Sequence, residues 1–191
     1  MLRRAVAEEA ARIMREQGVE DFLQAKRKAA ERLGVTDASI LPRNTEIESA
    51  MIDHHRLFSS DRHDDELAQL RRSALQAMRL LADFQPRLVG PVLTGTATPH
   101  TDISLHLFAE TPETVTLRLA DRGIPHEIAE RRVRYGDRAV AYPEIRFIAG
   151  QQPVEAVVFP IDGIRQAPVS PVDGKPMRRA AVHEVETLLL G

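Results

Sequence analysis

The residues best suited to chemistry lie between positions 88 and 159. A polar, turn-rich loop at 94–101 separates an apolar run, Leu88 to Leu93, from the alternating segment Asp102 to Phe108. A strand that ends in a small-residue turn can cradle a phosphate, because its backbone N–H groups approach the phosphate oxygens. Carboxylates at i and i+2 on a following strand share a face and can hold a divalent metal. Phosphoryl and nucleotidyl transfer need both features.

The chain contains this pattern in outline. Gly95-Thr96 lies in the turn, Asp102-Ile103-Ser104 takes the position of the acidic pair, and Glu155 lies in a later apolar strand. The segment from Arg87 to Pro160 thereby resembles the nucleotidyltransferase superfamily, to which DNA polymerase beta and many small bacterial transferases belong. The pattern of that family is Gly-Ser, a spacer, Asp-x-Asp on one strand and a later Asp or Glu on another.

The resemblance implies a role for each matching residue. Gly95 and Thr96 would contact the triphosphate of an NTP, and Asp102 and Glu155 would be the catalytic carboxylates that bind Mg²⁺. Ser104 stands at the second acidic position, within the nucleotide site. Because a hydroxyl is a poor Mg²⁺ ligand compared with a carboxylate, we expect a divergent member with weak catalysis or none.

Simpler interpretations exist for the same residues. Asp102 can be a strand-start aspartate that accepts hydrogen bonds from loop amides, and Glu155 can be an exposed strand residue. His100 and His106 flank Asp102 and could form with it a site for Mn²⁺ or Zn²⁺. Strand-face histidines without a metal are the more common case.

Two further groups have both a functional and an ordinary interpretation. Asp53-His54-His55 and His63-Asp64-Asp65 resemble metal ligands of His-Asp phosphohydrolases, but those come from helices far apart in sequence, and an acid-capped helix start is simpler. Four arginines around a predicted hairpin could face phosphate or RNA; acidic neighbours favour surface ion pairs instead. These arginines are at positions 131, 132, 134 and 138.

The periodicity of apolar residues predicts the elements that position these groups. Four helices come first: one ending at Gly18, one ending at Gly34, one starting near Thr45 with capping-box spacing to Glu48, and one from about residue 61 to Gln85-Pro86. Strands are predicted at 88–93, 102–108, 125–135, 138–148 and 154–159. A helix between Thr111 and Gly123 and a final helix after 178 complete the chain.

This order of elements predicts an α+β fold: N-terminal helices, then a small mixed β-sheet with helices packed on it, as in nucleotidyltransferases, then a C-terminal helix. We expect an N-terminal helical region at 1–60, the nucleotidyltransferase-like domain at 61–165, and a tail with the C-terminal helix at 166–191.

Composition excludes several classes of function. The 191 residues contain no cysteine, which excludes disulfides, zinc–thiolate sites and thiol catalysis. The formal net charge of −2 argues against a general polyanion binder. No apolar run reaches the roughly 20 residues that span a bilayer, so a cytoplasmic bacterial protein without membrane contact is expected.

The leading hypothesis is thus a nucleotidyltransferase-like protein that binds an NTP–Mg²⁺ complex. A non-catalytic binding or adaptor module that keeps the fold is the alternative, and a His/Asp metal phosphohydrolase is third. The sequence leaves the acceptor (small molecule, RNA or protein), the base preference and the oligomeric state open.

Overall fold

Three helices form most of an N-terminal unit: α1 (Leu2–Gln17), α2 (Phe22–Arg32) and α3 (Asn44–Phe58). Gly18 ends α1 with φ 66°, as its position predicts. The side chain of Asp21 caps α2 by accepting a hydrogen bond from Gln24 N at 2.6 Å. Apolar residues at helical spacing make one core, which includes Val6, Ala10, Ile13, Met14, Ala25, Ala29, Ile47 and Met51.

The start of α3 differs from the prediction. The helix begins at Asn44, so Thr45 lies inside its first turn and is not the cap. The Glu46 carboxylate instead accepts a hydrogen bond from Arg43 N at 2.6 Å. It is also bonded to Arg3 Nη2 of α1 at 2.8 Å. This acidic residue therefore satisfies a backbone donor at the helix start and joins two helices of the unit.

The computed structural model describes residues 1–58 and 61–191 and divides the chain into two compact units. The first comprises Met1–Asp64, Gly95–Thr101 and Pro171–Asp173, and the second comprises Asp65–Thr94, Asp102–Ser170 and Gly174–Gly191. Both are discontinuous in sequence. The predicted ranges 1–60, 61–165 and 166–191 stay predictions about domains. Within the described ranges, none of the helices is both long and apolar enough to cross a membrane.

The second unit is built around a mixed sheet, which confirms the α+β class. Its strands, in chain order, are β1 (Arg87–Val89), β2 (Ile103–Phe108), β3 (His126–Tyr135), β4 (Arg138–Ala149) and β5 (Gln152–Phe159). They lie side by side in the order β1-β2-β5-β4-β3. Only β2 and β5 pair in parallel among these strands. The remaining helices are α4 (Asp61–Leu80), α5 (Pro91–Thr94), α6 (Pro112–Asp121) and α7 (Val182–Leu190).

The first strand is shorter than predicted. It ends at Val89 and not at Leu93, and the chain turns at Gly90 into the short helix α5. Gly90 adopts φ 75°, a conformation that glycine accepts without strain. Pro91 has no N–H to give to a sheet ladder. The carbonyl of Gly90 accepts hydrogen bonds from the N–H groups of Leu93 and Thr94, both at 3.0 Å.

The two faces of the sheet differ in chemistry. One face is apolar and buried, with Leu105 of β2, Ala156 of β5 and Ile145 of β4 side by side in the register. On the opposite face, Ser104 lies next to Glu155, and Glu155 lies next to Arg146. We call the part of this side around Ser104, Glu155 and Arg146 the polar face; further along the same side, Phe108, Val157 and Phe159 form a small apolar core. Strand alternation thus places Ser104, Glu155 and Arg146 on the side opposite Leu105, Ala156 and Ile145.

Candidate functional site

Three carboxylates and two arginines converge on the polar face, and we call them the carboxylate–arginine cluster: Asp102, Arg131, Glu144, Arg146 and Glu155. Asp102 directly precedes β2. In the other strands, Arg131 lies on β3, Glu144 and Arg146 on β4 and Glu155 on β5. Ser104 pairs with Glu155 in the register, and the charge of Asp102, two residues before Ser104, acts on Glu155.

The arginines bridge two of the carboxylates. Arg131 Nε donates to Glu144 Oε2 at 2.5 Å, and Arg131 Nη2 donates to Glu155 Oε2 at 2.6 Å. Arg146 Nε donates to Glu144 Oε1 at 2.9 Å and lies 3.8 Å from Glu155 Oε1. Both oxygens of the fully buried Glu144 are therefore satisfied by guanidinium groups.

The carboxylates of the cluster influence one another's ionisation. Burial raises the pKa of Glu155, and the charge of Glu144 raises it further, while Arg131 opposes the rise. Burial also raises the pKa of Asp102, against the opposing charge of Arg146. The charge of Asp102 adds to the rise in the pKa of Glu155, so the two carboxylates are within electrostatic range. Acids with perturbed pKa values occur at ligand sites and also in structural ion-pair networks such as this one.

The turn beside the cluster is at Gly90. A Cβ atom on Gly90 would lie 3.7 Å from both Cβ and Oγ of Ser104. This strand–glycine–helix turn was missed because Leu88 to Leu93 was interpreted as one strand. The Gly90-Pro91 pair, a strong turn signal in any sequence, would have revealed it.

Gly95 and Thr96 follow α5 and belong to the first unit, whereas Asp102, Ser104 and Glu155 belong to the second. Gly95 has φ 90°, so it does form a turn. Thr96 is only 5% exposed, and its side chain is in contact with protein. The assignment of Gly95 and Thr96 to a triphosphate site stays a prediction, as do the assignments of Asp102, Ser104 and Glu155.

The histidines near Asp102 do not join it in a metal site. His106 is 3% exposed, and its Nδ1 accepts a hydrogen bond from Arg179 Nε at 3.0 Å. Burial, together with the charge of Arg179, lowers the pKa of His106 to about 3, so the ring is neutral. His100 lies in the first unit. Among residues 1–58 and 61–191, no three His, Asp or Glu side chains are grouped in a way that could hold a metal.

The helical histidines are stacked on one another. The ring centroids of His55 and His63 lie 3.8 Å apart at an interplanar angle of 12°. Burial, together with the charges of His63 and His54, lowers the pKa of His55 to about 4. The two rings stack on each other, and the phosphohydrolase hypothesis gains no ligand set in the described part of the chain.

The arginines of the β3–β4 hairpin do not form a single patch. Strand alternation sends Arg131 to the polar face, where it is bound to two glutamates. Arg132 and Arg134 are exposed on the other side of β3. Arg138, at the start of β4, lies over the ring of Tyr135, with 5.6 Å between guanidinium carbon and ring centroid.

Comparisons with known proteins give only a weak structural likeness. No protein-family model matches the chain, and no curated protein does. Among solved structures, the chain is similar to a cytoplasmic RNA terminal U-transferase, with a TM-score of 0.34 and 15% identity. The similarity covers 60% of this chain and 34% of that enzyme's chain. At this level of similarity, no residue role or activity passes from that enzyme to this protein.

Proposed function

We propose that this is a cytoplasmic, nucleotidyltransferase-like protein that binds a nucleoside triphosphate together with Mg²⁺ on its polar face and has weak transfer activity or none. The observation that supports this most directly is that Asp102, directly before β2, interacts electrostatically with Glu155 on the parallel neighbouring strand β5. Gly90, in the turn after β1, adjoins the same face at Ser104.

The donor groups fit Mg²⁺ only in part. Asp102 offers a carboxylate with no hydrogen-bond donor among the residues that the structure describes, whereas Glu155 is bound to Arg131 at 2.6 Å. Ser104 supplies a neutral hydroxyl. Bound Mg²⁺ would supply positive charge to the phosphates. Because Arg131 already neutralises Glu155, this second carboxylate is a poorer metal ligand, which is the physical reason to expect weak transfer.

The test is calorimetry with each of the four NTPs, with and without Mg²⁺, on the wild-type protein and on Asp102→Ala. Asp121→Ala, an exposed carboxylate at the end of α6, is the matched control. We expect Mg²⁺-dependent heat that Asp102→Ala abolishes and Asp121→Ala preserves. Transfer of labelled nucleotide is expected to be slow. Binding or transfer that survives Asp102→Ala would remove Asp102 from the site.

One observation favours a second candidate, a non-catalytic binding or adaptor module that keeps the fold. The two glutamates of the cluster already have arginine partners, so the polar face is held together without a ligand. This candidate predicts no heat with any NTP, with or without metal. The same calorimetric series therefore separates the two candidates.

A further inference from the structure

A pocket lies at the turn of the β3–β4 hairpin. Its volume is about 510 Å³, and it is bounded by Tyr135, Gly136 and Arg138 of the hairpin. The rest of its lining comes from Arg165, Gln166, Ala167, Val169 and Pro176. Arg138 is six residues before Glu144 on β4, which at the usual rise of a strand is about 20 Å. The pocket is thus separate from the carboxylate–arginine cluster.

The polar lining of this pocket is positively charged. Arg138 and Arg165 both reach it, and none of the described residues that line it is acidic. Within the described chain, neither arginine forms an ion pair, in contrast to Arg131 and Arg146. Arg138 lies over the Tyr135 ring, which limits the positions its guanidinium group can take. Two arginines without acidic partners in one concavity attract an anion.

A third arginine, Arg179, acts electrostatically on Tyr135, which lines the pocket. Arg179 packs on the rings of Phe108 and Phe159, with its guanidinium carbon 4.9 and 5.0 Å from their centroids. Burial raises the pKa of Tyr135, and the charge of Arg179 lowers it by less. The net shift is upward, so the hydroxyl stays protonated. The Tyr135 hydroxyl lies 3.4 Å from that of Tyr142. A protonated hydroxyl at the wall of a cationic pocket can donate to a bound anion.

We propose that this pocket binds a small phosphate ester, with the phosphate held by Arg138 and Arg165. Arginine is suited to this role because its planar fork donates two parallel hydrogen bonds to a phosphate. The volume of about 510 Å³ falls in the range of small-molecule sites and exceeds what a phosphate alone fills. The organic part of the ester lies against Ala167, Val169 and Pro176, which also line the pocket. No metal is needed, which distinguishes this site from the one on the polar face.

The experiment is equilibrium dialysis in EDTA, so that Mg²⁺-dependent binding is absent. The probes are phenyl phosphate and the four ribonucleoside monophosphates, each compared with its unphosphorylated counterpart. The protein carries Asp102→Ala, which separates the outcome from that of the proposed nucleotide site. We expect at least one phosphate ester to bind at least about tenfold more tightly than its unphosphorylated counterpart. The counterpart has no phosphate to accept charge-assisted hydrogen bonds from the arginines.

Variants identify the groups responsible. Arg138→Ala and Arg165→Ala together are expected to weaken binding at least about tenfold. Arg132→Ala, on the exposed opposite side of β3, is the matched control and should leave binding unchanged. Circular dichroism checks that the double variant folds. If it does not, Arg165→Gln alone, which removes the charge and shortens the side chain only a little, replaces it and is expected to weaken binding. The proposal is overturned if no phosphate ester binds, if the unphosphorylated counterparts bind equally well, or if binding survives the arginine substitutions.

Discussion

Replacing the buried glutamate of the cluster tests whether the arginines hold the polar face together. Glu144 is 0% exposed, and its two oxygens accept hydrogen bonds from Arg131 and Arg146 at 2.5 and 2.9 Å. Glu144→Gln keeps the size of the side chain and one acceptor oxygen, but it removes the charge and places an NH₂ donor against a guanidinium group. The substitution therefore changes electrostatics with little change in packing.

The expected loss of stability follows from the burial of each partner. Removing one partner of a fully buried ion pair costs about 3–5 kcal/mol, because the other charge is left without compensation. Here the side chains of Arg131 and Arg146 are 43% and 48% exposed, so water can solvate both after the change. Arg131 also keeps its bond to Glu155. We therefore expect Glu144→Gln to lower the free energy of unfolding by about 1–2 kcal/mol.

The assay is urea denaturation followed by far-UV circular dichroism, since the chain has no tryptophan. With a typical urea dependence of unfolding for a small protein, the midpoint should fall by about 0.5–1 M. Glu127→Gln is the control, because Glu127 lies next to Arg146 in the register but is exposed. If both variants unfold at the same midpoint, the arginines do not stabilise the polar face through Glu144, and the reasoning fails.

Three further predictions concern single residues. In the folded protein the pKa of His106 is about 3, below its ordinary 6.5, so the unfolded chain binds the proton more readily. The free energy of unfolding should therefore fall as the pH drops from 6.5 towards 3. His106→Gln should flatten that loss in acid denaturation, and an unchanged profile would contradict it. Burial raises the pKa of Asp102 above its ordinary 3.8, so stability should fall as pH rises above 3.8, and Asp102→Asn should gain stability relative to wild type over that rise. Gly90→Ala should cost about 1 kcal/mol in urea denaturation because of its φ of 75°, with no clash against Ser104; a neutral result would mean that the turn tolerates a side chain.

The sequence predicted most elements because their signals are local. Helical stripes ended by Gly18 and Gly34 correspond to α1 and α2, and the Gly136-Asp137 turn does join β3 to β4. Alternation in residues 102–108 correctly separated Ile103, Leu105 and Leu107 from the polar side of β2. In each case the residues that decide the structure are neighbours in the chain, so periodicity and turn residues suffice.

The first strand shows where local reasoning fails. Apolar residues continue from Leu88 through Leu93, and the same pattern is compatible with a strand or a short buried helix. Val92 and Leu93 are buried in α5, so they do contribute to a core, but from a different element. Hydrophobicity predicted the burial of Val92 and Leu93 but not their backbone conformation. In this segment, the Gly90-Pro91 pair is what distinguishes a helix from a strand.

The arginines of the cluster could not be assigned from sequence because their partners depend on strand register. Arg131 and Glu155 are 24 residues apart, on strands that are separated in the sheet by β4. Sequence alone suggested surface pairing of Arg131 with nearby acids, whereas the register turns it towards Glu144 and Glu155. The same contacts that give the buried carboxylates their partners also lower their capacity to bind a metal. The contacts of Arg131 that stabilise the polar face therefore work against the proposed binding of Mg²⁺ there.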